Sequence, residues 1–172
     1  MSTIYDILAI DVGNTNVVLG YFKNQTLKAK TRIPTENFQL PDVNPASKIV
    51  VSSVVPKVDP IIKQLKPKPL FINSKTIPLL TINIDKPKEA GADRIVNAFG
   101  AYQIYNSDCI ILDFGTATTA CLVRKEGIYE GGAILAGIRI SLQALHAQTA
   151  KLPLLKSFDV PKSFIGKNTK DS

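Results

Sequence analysis

Three short stretches of this chain gather the side chains that phosphate chemistry uses: Asp11-Val12-Gly13-Asn14-Thr15, Gly91-Ala92-Asp93-Arg94 and Asp113-Phe114-Gly115-Thr116-Ala117. The first lies between two apolar runs, 4–10 and 17–22, so a tight turn must join two strands there and place Asp11 at a strand tip. Glycine lets a ligand approach the backbone, Asn14 and Thr15 can donate hydrogen bonds, and Asp11 can hold a cation or its water. That set suits a metal-bound phosphate, although an ordinary hairpin facing solvent would use the same residue types. The second stretch puts a carboxylate and a guanidinium at a helix start, where backbone N–H groups favour anions. Arg94 can grip a substrate carboxylate in fork geometry, and Asp93 can accept a proton from a substrate hydroxyl. The plainer reading makes Asp93 a helix cap and Arg94 its surface partner. Phosphoryl transfer is mostly positioning and charge neutralisation, and these stretches supply cation ligands, donors and a base.

Apolar patterning predicts the elements that carry them. Strands are expected over 4–11, 16–23 and 26–33, as an antiparallel meander with its second turn at Lys23-Asn24-Gln25. Pro34, Pro41 and Pro45 punctuate a loop over 34–47. The β-branched run 48–53 reads as a central parallel strand, and Pro56 opens a helix to about Leu65. A strand follows at 70–72, an extended segment at 79–84, and a helix from Gly91 to about Tyr105 with Ile95, Ala98, Phe99 and Tyr102 at helical spacing. Strands are then expected over 109–113 and 119–124 and from 128, the last broken by Gly131-Gly132, before a helix over 138–150. Residues 109–135 thus repeat the opening meander, with Asp113 to Ala117 in the place of Asp11 to Thr15. Two such turns from two copies of one unit are expected to face each other and bracket a nucleotide's phosphates.

The 172 residues leave ample length for a core in one domain or two small ones, and a hydrophobic fraction of 45% with 20% charged is that of a globular chain. Net charge is +7, from 21 basic and 14 acidic residues, but the lysines are scattered and no dense basic block points to nucleic acid. No apolar run reaches the roughly 20 residues of a membrane helix, no secretory signal is read at the N-terminus, and the expected compartment is the cytoplasm. Cys109 and Cys121 lie in strand-like runs and read as buried free thiols. A lone histidine, His146, gives a zinc site or a Ser-His-Asp triad little to build with.

Together with Gly131-Gly132-Ala133-Ile134, Gly137, Ala144-Leu145, Lys151-Leu152-Pro153 and Gly166-Lys167-Asn168-Thr169, in this order, the three stretches resemble the type III pantothenate kinase family. The resemblance implies an α/β, two-lobed actin-like (ribonuclease H-like) fold of duplicated β-β-β-α units. Its first domain would span 1–106 and its second 107–172, the second lobe lacking its last strands and helices. It implies ATP-dependent phosphorylation of pantothenate to 4′-phosphopantothenate, the first step of coenzyme A synthesis, by a homodimer. Carried over, Asp11, Val12, Gly13, Asn14, Thr15, Asn16, Val17 and Val18 form the ATP phosphate loop, and Thr116 is a further ATP contact. Asp93 is the proton acceptor, while Gly91, Ala92, Asp93, Arg94 and Thr169 bind pantothenate. Asp113 ligates a monovalent cation, potassium or ammonium, and Asp11 is the candidate ligand for Mg²⁺ or a similar divalent cation. The sequence departs from the family at Ile84, where an aromatic residue usually contacts pantothenate, and at Ala136, where a proline usually stands. The alternative is a truncated or degenerate member acting as a non-catalytic accessory or regulatory protein.

Overall fold

A computed structural model of the chain describes residues 5–40, 46–155 and 163–171. Ile4 and the middle of the expected loop, 41–45, lie outside the described residues. The chain divides into two compact units, one of residues 1–111 with 121–132 and the other of 112–120 with 133–172.

The first unit opens with the meander that the alternation demands: β1 (Tyr5–Val12), β2 (Asn16–Lys23) and β3 (Thr26–Pro34), each antiparallel to the last. Leu8, Ile10 and Val12 fall on one face, with Val17, Leu19 and Tyr21 beside them, and all six are buried. Asn24 and Gln25 turn the second hairpin with φ of 49° and 62°, the pair of left-handed residues that matches strand twist in a two-residue loop. A single 3-10 turn at Thr35–Asn37 follows. β4 (Ala46–Ser53) then runs parallel to β1, starting two residues earlier than expected, and β5 (Leu70–Phe71) pairs with its far side. The sheet order is β3-β2-β1-β4-β5, so β4 is central and parallel as its β-branched composition implies.

The expected helix over 56–65 shrinks to one α-turn, α1 (Asp59–Ile62). Bonds three residues apart, Val58 N to Val55 O, Gln64 N to Ile61 O and Leu65 N to Ile62 O, make tight turns of its flanks. Likewise only β6 (Thr81–Ile82) of the expected extended segment 79–84 pairs as strand, because Leu80 N bonds back to Ile77 O. α2 (Ala92–Tyr105) matches expectation and ends on Asn106, left-handed at φ 47°. Ile95, Ala98, Cys121, Val123 and Tyr129 belong to the core cluster beneath it.

β7 (Cys109–Phe114), β8 (Ala117–Arg124) and β9 (Ile128–Ala136) pass from one unit to the other, and with β6 make a sheet of order β6-β9-β8-β7. β6 and β9 are parallel. Gly131 and Gly132 do not end β9: Gly131, at φ 87°, takes a conformation that other residues rarely adopt, and the strand continues to Ala136. α3 (Ile138–Gln148) begins directly after Gly137.

The two meanders share two braces that fall at matching positions. Five residues before Asp11, the Asp6 carboxylate accepts from the backbone N–H of Asn24, the first residue of the second turn, at 2.6 Å. Five residues before Asp113, the Asp108 carboxylate accepts from the backbone N–H of Lys125, again the first residue of the second turn, at 2.9 Å. At the other end, the first residue after the third strand donates its N–H to the last residue of the first turn: Thr35 N to Thr15 O at 3.0 Å, and Gly137 N to Thr116 O at 3.1 Å.

Candidate functional site

The Asp11 turn is a three-residue loop, 13–15, closed by Gly13 N to Asn16 O at 3.0 Å. Positive φ is recorded at neither Gly13 nor Asn14, so the glycine serves here through its small size: a Cβ would stand 3.2 Å from Asn16 O. Thr35 holds the loop from behind, its hydroxyl donating to Gly13 O at 2.7 Å while its own side chain is 4% exposed. Val12 and Val17 pair across the hairpin and are fully buried, so of the expected phosphate-loop residues these two can contribute through backbone alone. Asp11, Asn14 and Thr15 are exposed, with Asn16 and Val18 part-buried.

Beside Asp11, in register on the parallel strand β4, stands Ser52. Paired residues on neighbouring strands share a face, so both side chains leave the sheet on the side opposite Ile10 and Val51. Ser52 is 8% exposed, and its Oγ is the one buried side-chain oxygen or nitrogen without a partner among the described residues. Its neighbour Ser53 is fully used: the hydroxyl donates to Asp59 Oδ1 at 2.6 Å and accepts from Val55 N at 3.3 Å. Residue patterning missed Ser52; two serines ending an apolar parallel strand were the available signal, since α/β sheets bind ligands at the carboxyl ends of such strands.

α2 packs on β4 and brings Gly91–Arg94 to the same place. A Cβ on Gly91 would lie 3.7 Å from Val54 Cγ1, two residues beyond Ser52. Gly91 is the N-cap and makes no side-chain cap bond, so Asp93 is not the cap of the plainer reading. Its Oδ1 accepts from Arg94 N at 2.7 Å. Arg94 does not turn to Asp93: its Nε donates to Cys121 Sγ at 3.2 Å and its guanidinium lies 5.7 Å from the centre of the Tyr129 ring. Burial, and then the hydrogen bond with Cys121, push the Tyr129 phenol up to about 12, while the Arg94 charge pulls the other way. The ring is therefore neutral under Arg94 at physiological pH. Among the described residues the two terminal nitrogens of Arg94 make no hydrogen bond, which leaves their end-on fork for a carboxylate.

In the second unit, Asp113 and Thr116 flank a shorter, two-residue turn closed by Gly115 N to Ala117 O at 3.0 Å, and both are exposed. Gly137 covers this turn so closely that a Cβ would overlap the carbonyl oxygens of both Thr116 and Gly115. Thr169 is exposed in a turn organised by Asn168, whose Oδ1 accepts from Lys170 N and Asp171 N, each at 3.0 Å. Ile84 is partly buried against the α2 core, and a Cβ on Gly131 would meet its Cγ2 at 3.1 Å. Cys109 and Cys121 are both free thiols, but only Cys121 is buried as expected; Cys109 is partly exposed. Among the described residues no three His, Cys, Asp or Glu side chains cluster as a metal cage, and no helix is long and apolar enough to cross a membrane. The donor set at Asp11, one carboxylate beside an unpartnered buried hydroxyl, fits a hard cation that keeps waters and shares phosphate oxygens, as magnesium does.

Comparison with known proteins identifies the family and the fold. A type III pantothenate kinase family model matches residues 7–172. A type III pantothenate kinase from Desulforapulum autotrophicum is 42% identical over 188 aligned positions, covering 96% of this chain and 72% of that protein. The alignment is longer than the 172 residues here, so the relative holds internal segments without a counterpart in this chain. The crystal structure of a Campylobacter jejuni protein assigned to the Baf family of transcriptional activators superposes with a TM-score of 0.58 at 23% identity. That match covers 95% of this chain and 70% of the other, and it establishes a shared fold. The chain belongs to the type III pantothenate kinase family.

Proposed function

We propose that the protein phosphorylates pantothenate from ATP, giving 4′-phosphopantothenate, the opening step of coenzyme A synthesis. The observation that carries this reading is the start of α2 lying against β4, beside the strand end where Asp11 stands. Asp93 accepts the proton of the pantothenate hydroxyl as its oxygen bonds to the γ-phosphorus and the bond to the bridging oxygen of ADP breaks. The terminal nitrogens of Arg94 bind the pantothenate carboxylate, with Gly91 and Ala92 beside it and Thr169 as a further contact. The 11–18 loop and Thr116 receive the nucleotide's phosphates, Asp11 directs the divalent cation, and Asp113 ligates potassium or ammonium. When bound, the divalent cation neutralises charge on the phosphate oxygens. The reading includes two related actin-like domains, 1–106 and 107–172, in a cytoplasmic homodimer. What supports the duplication is the pair of matching braces on the two meanders.

A coupled assay with ATP, magnesium and potassium, with and without pantothenate, tests the reading. Turnover should require pantothenate, and Asp93→Asn should lower kcat about 10²–10⁴-fold, the usual contribution of a general base. An unchanged rate in Asp93→Asn would remove the base assignment. Absence of turnover together with DNA retention at physiological salt would favour the regulatory alternative.

A further inference from the structure

Buried polar atoms in folded proteins are almost always paired, because an unmade hydrogen bond leaves the desolvation cost uncompensated. Ser52 Oγ is the exception among the described residues of this chain. Its position is not arbitrary. It is in register with Asp11 on adjacent parallel strands, whose Cα atoms stand about 5 Å apart, and on the same face. Two residues later Val54 meets Gly91, where the helix carrying Asp93 and Arg94 begins. Ser52 therefore lies beside Asp11 on the strand against which α2, the helix carrying Asp93 and Arg94, packs. Its neighbour Ser53 satisfies its own hydroxyl within the fold, so the lack of a partner belongs to position 52 and not to the strand end in general.

We propose that the Ser52 hydroxyl is a hydrogen-bond donor to the phosphoryl group in transit, a contact completed only when nucleotide and substrate occupy the site. This rests on the kinase reading above. The hydroxyl keeps its proton and forms no covalent bond. It supplies a fixed dipole where negative charge spreads over the equatorial oxygens, and such a contact acts on the chemical step more than on binding. The unpartnered hydroxyl is then a stability cost held for catalysis, as active sites commonly hold one.

Ser52→Ala separates this from a structural role, because the two predict opposite changes in stability. The full-length variant should melt at or above the wild-type Tm, having lost an unpaired buried hydroxyl. Its kcat should fall about 10–100-fold, with KM for ATP and for pantothenate within about threefold of wild type. Magnesium, ADP and aluminium fluoride, which together mimic the phosphoryl group in transit, should raise the Tm of wild type more than that of the variant. A variant with unchanged kcat, or one whose rate falls only in proportion to a lowered Tm, overturns the proposal. If wild type shows no pantothenate-dependent turnover, the kinase reading fails by itself. The aluminium fluoride shift then decides on Ser52: a smaller shift in the variant sustains the phosphoryl contact, and equal shifts refute it.

Discussion

On β1, Leu8, Ile10 and Val12 are at most 2% exposed, whereas their counterparts on β7, Ile110, Leu112 and Phe114, are 75%, 58% and 68% exposed. The two strands share several local features. An aspartate stands five residues before each turn aspartate, within β1 in one case and just ahead of β7 in the other, and both meanders have a glycine turn and a third strand whose next residue closes back on that turn. What differs is the company. β1 lies between β2 and β4, with the core cluster of the first unit on one face, while β7 stands at the end of its sheet order among the described residues. The apolar side chains of a strand state what it is able to bury, and neighbours from distant sequence determine whether they are buried.

Substitutions can break or sharpen this contrast. The largest effect is expected at Gly137, where any side chain collides with backbone carbonyls and not with a side chain that could move. Gly137→Val should cost about 3 kcal/mol or more and abolish turnover, read as a loss of the cooperative melt or a fall in Tm. Next, Leu8→Ala should cost about 3 kcal/mol by urea unfolding, while Ile110→Ala should stay within about 0.5 kcal/mol. Equal costs at the two positions would mean that β7 is covered in solution. Thr35→Val removes the hydroxyl bond to Gly13 O and should cost about 1 kcal/mol, with a Tm lowered by about 2–4 °C. The smallest effect concerns Asp108, whose pKa is held low by the Lys125 backbone N–H first and then by the Arg124 side chain. A carboxyl depressed in the folded state adds stability above its unfolded pKa, near about 4, and loses it as pH falls through the folded value. Asp108→Asn should therefore lower stability slightly at neutral pH and flatten the acid side of the profile below about pH 4, where the two proteins converge.

The meander, the parallel β4 and α2 were legible in sequence because alternation, β-branching and a 3.6-residue period each report locally on what a segment can pack. The duplicated Asp-Gly turn was legible too, as spacing between repeated residues. The shortening of α1 was not, since Val58, Gln64 and Leu65 enter turns through backbone bonds that side-chain identity does not encode. Gly131-Gly132 was misread as a break because left-handed glycines end some strands and bulge others, and the choice depends on the partner strand. The partners of Arg94 escaped notice for a different reason. Cys121 and Tyr129 lie 27 and 35 residues away on β8 and β9, and nothing in either strand's pattern distinguishes a residue that supports a guanidinium from one that fills the core. Ser52 was hidden by its smallness, as a serine in a buried run reads as tolerance and not as a site.

The backbone closures at Thr35 and Gly137 have a consequence for solution measurement. Each amide proton is held by the carbonyl of one Asp-Gly turn, Thr15 in one case and Thr116 in the other. Amide exchange with deuterium at these two positions therefore clocks the opening of the two turns separately. A ligand that protects one proton and leaves the other exchanging would show which copy of the repeated unit it engages, without any substitution at all.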